Sequence, residues 1–428
     1  MIQSNAIQSS AIQSKASDPG DLKEAKLPRR DWILLPLLSL LTIGIIAVST
    51  ELIARRMFTE WVSGTERCKV SSDPFTGVER ISSCVYWGKE FETQPTEYHF
   101  NSSGYRDDVE FGAKSPGTYR IALVGSSVGA GGGTPSAKTF AVTLPAELSE
   151  RTGHAVELYN EAIPGVPGLP QSLALRFKDV LATQPDLVLW VLTRWDVKEA
   201  SSALPGPEAP VEHPAVGGEA WPRVKEDLAR GAIRDAASGL WGLVRGLLAS
   251  TKQAFQDSRT AFLLQHDLYG SQSVYVKYSL SGPDEFAGYL RAEPSAEWQS
   301  RLRAFDVYVA NIQAQAQAAG VTLAVVLVPS RPQAAMISMG DWPAGFDPYT
   351  LDDELRSIVV SHGATYIDIF PGFRDIPNPE QYYFAVDGHP SPDGQAIISR
   401  LLAAGLSGGA VPALKAATAP QAAWMRAR

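Results

Sequence analysis

The stretch RIALVGSSVGAGGG, residues 120–133, decides how this chain folds. Its apolar run, residues 121–124, contains β-formers and predicts a strand buried on both faces of a parallel sheet. The turn Gly125-Ser126-Ser127 follows at the carboxyl edge of that strand, where open α/β sheets bind their ligands. A helix predicted to come next directs its partial positive charge toward the turn. A serine placed there can act as a nucleophile if a histidine reaches it.

The rest of the chain repeats this strand and helix rhythm. Four more strands are predicted, at residues 156–160, 186–192, 321–328 and 366–369. Helices are predicted at residues 170–181, 297–319, 350–361 and 392–402. Strands that alternate with helices predict an α/β fold with a doubly wound sheet.

An insertion interrupts the rhythm at about residues 201–295. It begins with a segment rich in Pro, Gly and Glu, which is typical of a surface loop. Residues 224–258 are predicted to be helical, with an apolar face that packs on the main domain or lies on a bilayer.

The composition excludes some partners. With 45% hydrophobic and 20% charged residues, a chain of 428 residues can build a sizeable core. The net charge is −8, although basic residues outnumber acidic ones in residues 1–30. An acidic globular part argues against nucleic acid as a partner.

The N-terminal region predicts a tail and a membrane anchor. Residues 1–30 contain three copies of Ile-Gln-Ser-x-Ala and are predicted to be a disordered cytoplasmic tail. Residues 32–49 are uncharged and flanked by arginine pairs, which predicts a transmembrane anchor at 31–53. A cleaved signal peptide is the alternative, because residues 47–49 resemble a cleavage site, but the preceding segment is long for such a leader.

The two cysteines, Cys68 and Cys84, lie in a predicted membrane-proximal extension, residues 54–118. A disulfide between them is predicted, with two free thiols as the alternative. A disulfide agrees with an oxidising compartment. Because basic residues flank the apolar segment almost equally, the cysteine pair decides the predicted orientation, with the tail in the cytoplasm and the bulk outside.

One histidine has an informative setting. His389 lies in YFAVDGHPSPDG, residues 383–394, just before the last predicted helix. Asp387 can orient its imidazole, which can then accept a proton from a serine. Asp393 is a weaker candidate for the orienting acid, and a plain surface or core histidine is the alternative interpretation.

With these residues the chain resembles the SGNH (GDSL-type) hydrolases, serine esterases and acyltransferases on a flavodoxin-like sheet. The resemblance covers about residues 100–200 and 320–405. It is greatest to a membrane-anchored bacterial branch with an Asn-Ser-x-Gly-Tyr-Arg element, matched here by residues 101–106. The resemblance implies a flavodoxin-like doubly wound parallel sheet at 119–410, followed by a tail at 411–428. Asn101 also opens a glycosylation sequon, with a structural turn as the alternative.

The family's blocks imply roles for particular residues. The nucleophile block implies that Ser127 attacks the substrate, with Ser126 in place of the usual Asp. The second block falls on Asn160 and Gly165, and implies that they join the Ser127 backbone in an oxyanion hole. The last block implies His389 as the base and Asp387 as its orienting acid, although the family's Asp-x-x-His is shortened here to Asp-Gly-His.

The third block departs from the family. Its Gly-x-Asn-Asp falls on residues 193–196, and Trp195 replaces the oxyanion Asn. Losing one such donor typically costs roughly 10²–10³ in rate, unless Arg194, Asn160 or the insertion replaces it. Ser126, Arg194 and Trp195 are therefore candidate substrate-pocket residues.

Two functions are carried forward. The first is a serine esterase or O-acyltransferase, anchored in a bacterial inner membrane with its domain in the periplasm or outside, acting on O-acetyl groups of envelope or exported polysaccharide. The second is a catalytically inactive scaffold that binds glycan or an envelope protein. No cofactor or metal is predicted, since zinc-ligand spacing is absent and the glycine run at 129–133 lacks the phosphate-loop and dinucleotide patterns.

Overall fold

The computed structural model describes residues 28, 30–200 and 258–416. It forms two units, Met1–Ile53 and Ala54–Arg428. The predictions for the N-terminal tail up to residue 27, for the insertion at 201–257 and for the C-terminal residues 417–428 lie outside the described residues.

The first described helix, α1, runs from Asp31 to Met57. Its most apolar window has a mean hydropathy of 2.3, and none of that window is buried within the protein. The helix is therefore long enough and apolar enough to cross a membrane, a property that signal sequences near an N-terminus share.

Residues 61–100, called the β-module below, form two small antiparallel sheets. One has the strand order β1-β4-β5 and the other pairs β2 with β3. The strands are β1 (Trp61–Ser63), β2 (Lys69–Ser72), β3 (Glu79–Ser82), β4 (Cys84–Lys89) and β5 (Thr96–Phe100). A disulfide joins Cys68 to Cys84, whose Cα atoms are 4.8 Å apart.

The central sheet has five parallel strands in the order β10-β9-β8-β6-β7. They are β6 (Thr118–Gly125), β7 (Ala155–Asn160), β8 (Leu187–Leu192), β9 (Thr322–Leu327) and β10 (Thr365–Tyr366). The apolar run of β6, residues 121–124, is fully buried. With β6 between the second and third strands in chain order, this is the flavodoxin-like arrangement, and the predicted fold class is confirmed.

Ten further α-helices lie in the described part of the second unit, Ala54–Arg428. They are α2 (Phe140–Thr152), α3 (Pro170–Ala182), α4 (Arg194–Lys198), α5 (Arg259–Tyr269), α6 (Gln272–Leu280), α7 (Asp284–Ala287), α8 (Ala296–Ala318), α9 (Arg331–Met339), α10 (Thr350–Ser361) and α11 (Pro392–Gly405). The connection from β6 to β7 through α2 moves toward one edge of the sheet. The connection from β7 to β8 through α3 moves back toward the other edge. Right-handed crossovers therefore place these two helices on opposite faces. The helix α11 packs on α2, and α8 packs on α3.

The structure corrects two predictions about the limits of elements. The serine at residue 127 is followed by turns, and α2 begins only at Phe140, so its N-terminus does not follow the serine turn directly. The predicted end of the domain at residue 410 is too early, because Val411 and Leu414 are buried in the core. An Ala-rich composition hid these two anchoring side chains.

The described part of the insertion, residues 258–295, belongs to the main body. Val276, Tyr289 and Leu290 join the hydrophobic core, and Asp347 donates its backbone N–H to the Leu290 carbonyl. This part of the insertion therefore packs on the main domain.

Candidate active site

Backbone packing shapes the turn at Gly125-Ser126-Ser127, called the serine turn. Gly125 has φ +146°, and a Cβ there would lie 2.3 Å from the Val191 carbonyl oxygen, so only glycine fits. The Ile163 N–H donates to the Gly125 carbonyl at 3.0 Å. The turn therefore fixes residue 127 at the carboxyl edge of β6, between β7 and β8.

A chain of hydrogen bonds connects that serine to two residues near the C-terminus. The Oγ of Ser127 lies 2.7 Å from Nε2 of His389. The Nδ1 of His389 lies 2.7 Å from Oδ1 of Asp387, which also accepts the His389 backbone N–H at 2.9 Å. Because an ionised carboxylate only accepts, Nδ1 carries the ring proton and Nε2 accepts from the serine hydroxyl. Asp393 lies instead in the first turn of α11.

The pKa of Asp387 is lowered and the pKa of His389 is raised. Burial raises the pKa of Asp387, but the His389 charge and two hydrogen bonds from His389 outweigh it and hold this pKa below its ordinary value. Burial lowers the pKa of His389, but the charge and hydrogen bond of Asp387, with a contribution from Glu90, raise it above its ordinary value. Asp387 therefore stabilises the imidazolium that forms when His389 takes up a proton.

The loop that carries the histidine, residues 384–389, is called the histidine loop. Its ends are joined by the Phe384 N–H, which donates to the His389 carbonyl at 2.9 Å. The buried guanidinium of Arg331 donates to the Ala385 carbonyl.

A carboxylate of the β-module also contacts the histidine loop. The Glu92 side chain is 3% exposed and accepts the backbone N–H groups of Val386 and Asp387. Neither Glu92 nor Arg331 is predicted from the sequence. The only local signal for Arg331 is the Ser330 capping box that begins α9, and Glu92 belongs to no motif.

The Asn-Ser-x-Gly-Tyr-Arg element supports the loop after the serine. Arg106 is 6% exposed and donates to the carbonyls of Ala130, Gly131 and Thr134. Its guanidinium also lies 4.2 Å from the centre of the Tyr98 ring. The element thus holds the glycine-rich loop, residues 129–133, against the β-module.

Asn101, at the start of this element, forms the structural turn considered as an alternative to glycosylation. Its Oδ1 accepts the N–H groups of Ser103 and Tyr105 at 3.1 and 3.0 Å. Its Nδ2 donates to the Val109 carbonyl at 3.1 Å. The side chain is buried and its polar atoms are engaged within the turn.

Asn160 does not take the predicted oxyanion role. Its Nδ2 lies 3.3 Å from both the Arg106 and the Gly129 carbonyl oxygens, and its Oδ1 accepts the Ala162 N–H. Both amide hydrogens are directed at backbone carbonyls, so they are not available to a substrate oxygen. The side chain instead supports the glycine-rich loop.

The loop that carries Gly165 lies against the serine turn. A Cβ on Gly168 would lie 2.8 Å from the Ser126 Cα, so the two segments approach more closely than a side chain allows. Gly165 itself is exposed and accepts the Gly168 N–H at its carbonyl. The oxyanion role of the Gly165 N–H stays a prediction.

Ser126 serves the structure of the neighbouring turn. It is 7% exposed, and its hydroxyl interacts with the fully buried carboxyl of Asp196. Burial raises the pKa of Asp196, while hydrogen bonds from Thr193 and Ser126 lower it. The same carboxyl accepts the Thr193 N–H and hydroxyl in a capping box at the start of α4. The role of Ser126 as a pocket residue stays a prediction.

Arg194 and Trp195 present a surface beside the serine turn. The pairing of Gly125 with Val191 places the residues after β8 next to those after β6. The Trp195 side chain is 41% exposed. The Arg194 guanidinium lies 4.3 Å from the centre of the Trp195 ring and 5.0 Å from that of Tyr289. Both residues remain candidates for the substrate pocket.

Within residues 28, 30–200 and 258–416, no group of three or more His, Cys, Asp or Glu side chains is placed to hold a metal ion.

The solved structures similar to this chain include GDSL-type esterases and lipases. A lipase/acylhydrolase from Enterococcus faecalis is 12% identical, with 68% of this chain and 96% of that chain covered and a TM-score of 0.34. A G-D-S-L family lipolytic protein from Desulfitobacterium hafniense is 11% identical, with coverage of 66% and 97% and a TM-score of 0.29. An acetylxylan esterase from Geobacillus stearothermophilus is 11% identical, with coverage of 68% and 94% and a TM-score of 0.32.

No protein-family model matches the chain, and no curated protein matches it in sequence. With identities and TM-scores this low, no residue role or substrate is transferred from the solved structures. The membrane-anchored branch stays a prediction.

Proposed function

We propose that this chain is a membrane-anchored serine esterase or O-acyltransferase of the SGNH type. The observation that carries the proposal is the continuous hydrogen-bonded series from the Ser127 hydroxyl through His389 to Asp387. A serine within 2.7 Å of an imidazole that is oriented by a carboxylate is the arrangement that activates a hydroxyl for attack on an ester.

The reaction follows from these positions. The Ser127 oxygen attacks the ester carbonyl carbon as its proton moves to His389 Nε2, and Asp387 stabilises the resulting imidazolium. The tetrahedral oxyanion is stabilised by the backbone N–H groups of Ser127 and Gly165. The C–O bond to the leaving alcohol breaks as His389 returns its proton to that oxygen. Water or an acceptor hydroxyl then attacks the acyl-enzyme carbonyl as its proton moves to His389. The C–O bond to Ser127 breaks as His389 returns this proton to the Ser127 oxygen.

The proposed substrates are O-acetyl esters of envelope or exported polysaccharide, outside the cytoplasm. The apolar helix α1 and the Cys68–Cys84 disulfide support a tethered domain in an oxidising compartment. The exposed indole of Trp195 supports a carbohydrate, because its flat ring can pack on the apolar face of a sugar.

Trp195 also favours a second candidate, a scaffold that binds glycan without catalysis. A tryptophan replaces the family's oxyanion Asn, and Asn160 does not replace the missing donor because its amide is engaged elsewhere.

A fluorophosphonate probe distinguishes the two functions in the full-length, detergent-solubilised protein. The enzyme proposal expects covalent labelling that Ser127→Ala abolishes and that Ser126→Ala, the matched control, retains in its folded fraction. Folded wild-type protein that does not react with the probe contradicts the enzyme proposal and supports the scaffold.

A second experiment separates transfer from hydrolysis, with p-nitrophenyl acetate as the acyl donor and an oligosaccharide as the acceptor. Acetylated oligosaccharide detected by mass spectrometry identifies transfer, and free acetate alone identifies hydrolysis.

A further inference from the structure

A buried carboxylate of the β-module, that of Glu92, contacts the histidine loop. Glu92 lies in the connection between β4 and β5. Its Oε2 accepts the N–H of Val386 at 2.9 Å and that of Asp387 at 2.8 Å, and its Oε1 lies 3.1 Å from the Val386 nitrogen. One side chain therefore satisfies two consecutive backbone donors.

A third partner comes from the insertion. The Nδ1 of His266, on α5, lies 2.7 Å from Oε1 of Glu92. The His266 ring in turn contacts the Phe58 ring, with 5.5 Å between ring centres. Burying a carboxylate raises the free energy of the fold unless its oxygens accept hydrogen bonds. The Glu92 oxygens have donors from two distant segments, the histidine loop and α5.

These contacts are close to the proposed proton relay. Asp387, whose N–H Glu92 accepts, is the residue that holds the His389 ring. The Gly388 N–H donates to the Phe384 carbonyl at 3.0 Å, so the loop is a short closed turn. A shift of the backbone at Asp387 therefore moves the imidazole relative to the Ser127 hydroxyl.

We propose that Glu92 is a positioning residue of the reaction centre, which holds the histidine loop so that His389 reaches Ser127. The β-module is then a part of the active site and not only a spacer beyond the membrane anchor. This inference rests on the proposed function. Displacements near 1 Å cost roughly 10²-fold in rate, which sets the size of the effect.

The test compares Glu92→Ala and Glu92→Gln with wild type in the full-length protein. We expect Glu92→Ala to lower the second-order rate of fluorophosphonate labelling by about 10²-fold, measured on folded protein well below its melting temperature. Glu92→Gln restores much of that rate, because its amide oxygen still accepts N–H groups from the loop. Glu97→Gln is the control, since Glu97 is also in the β-module but pairs with His99, and its side chain is 43% exposed.

A second measurement does not depend on reactivity. With selective ¹⁵N-histidine labelling, and His389→Gln to assign the signal, the resonance of the His389 Nδ1–H reports its hydrogen bond to Asp387. Glu92→Ala is expected to shift or broaden this resonance, and Glu97→Gln to leave it unchanged. A wild-type labelling rate together with a wild-type His389 resonance in Glu92→Ala overturns the inference. Wild-type protein that resists the probe contradicts the proposed function instead, and the resonance then decides the role of Glu92.

If Glu92→Ala does not fold, the comparison with wild type is made with Glu92→Gln alone. A labelling rate measurably below that of wild type, together with a shifted or broadened His389 resonance, supports positioning. Values equal to wild type contradict it.

Discussion

The two halves of the proposed reaction centre are held by different kinds of contact. On the serine side, Ser127 is fixed by backbone packing, with Gly125 against Val191 and the Ile163 N–H on the Gly125 carbonyl. On the histidine side, the loop is held by side chains from distant segments, above all Glu92 and Arg331. The serine side should therefore be sensitive to changes in backbone fit, and the histidine side to single polar substitutions.

The largest effect is expected from removing the charge that orients the imidazole. We expect Asp387→Asn to lower the labelling rate by roughly 10⁴-fold, because the amide no longer favours the ring tautomer that accepts the serine proton. In wild type, labelling rises as the pH rises through the raised pKa of His389, since only the neutral imidazole is a base. In the variant, this rise in the labelling rate occurs at lower pH, because the Asp387 charge no longer raises the pKa of His389.

The measurement is the labelling rate as a function of pH. Asp393→Asn, in the first turn of α11, is the control and should retain the wild-type rate and profile. An unchanged pH profile in Asp387→Asn would remove Asp387 from the proposed relay.

A pair of glycine substitutions compares the backbone of the two sides. We expect Gly125→Ala to destabilise the fold by more than about 3 kcal/mol, because the new Cβ meets the Val191 carbonyl and the backbone cannot yield. Gly388→Ala, in the histidine loop, should cost only about 1–2 kcal/mol for its φ of +82°, since its Cβ has open space. Chemical unfolding monitored by tryptophan fluorescence measures both, and equal costs would contradict the proposed difference.

The smallest effect concerns Glu161, at the start of the loop beside the serine turn. Burial raises its pKa to about 8, although the Arg176 charge and a hydrogen bond from Thr183 oppose the shift. Because the folded pKa lies above the unfolded one, the stabilisation from the protonated carboxyl is complete below about pH 4.5 and is lost as the pH rises to about 8.

The variant Glu161→Gln has no carboxyl group to ionise, so it does not lose this stabilisation as the pH rises. We expect its melting temperature to exceed that of wild type by at least about 3 °C at pH 9, and by less at pH 5. Glu150→Gln, at an exposed position on α2, should follow wild type at both values. A difference between Glu161→Gln and wild type that is the same at pH 5 and pH 9 would show that Glu161 does not titrate as described.

The sequence predicted well those features that depend on local pattern. The apolar runs of β6 and β8 mark strands buried on both faces, and the strand alternation predicted the doubly wound sheet. The candidates Ser127 and His389 could be paired because parallel strands bring their carboxyl ends to one edge. The direction of the Asn160 amide could not be predicted, because a motif gives a position and not a side-chain orientation.

The supports of the histidine loop could not be predicted for a different reason. The Glu92 carboxylate contacts backbone N–H groups almost three hundred positions later in the chain. Such a bond requires only a carboxylate and any non-proline backbone, so neither end leaves a recognisable pattern of residue types. Arg106 belongs to a recurring sequence element, but only its contacts with the Ala130, Gly131 and Thr134 carbonyls show that it holds the glycine-rich loop.

The placement of the β-module affects how the protein can be shortened. An expression fragment that begins at β6 preserves every strand of the parallel sheet and both members of the proposed serine–histidine pair. It lacks Glu92, Tyr98 and Arg106, and thereby the groups that support both loops around the reaction centre. A soluble version intended for assays should begin before Trp61, so that it excludes the apolar helix but keeps the small sheets and their disulfide.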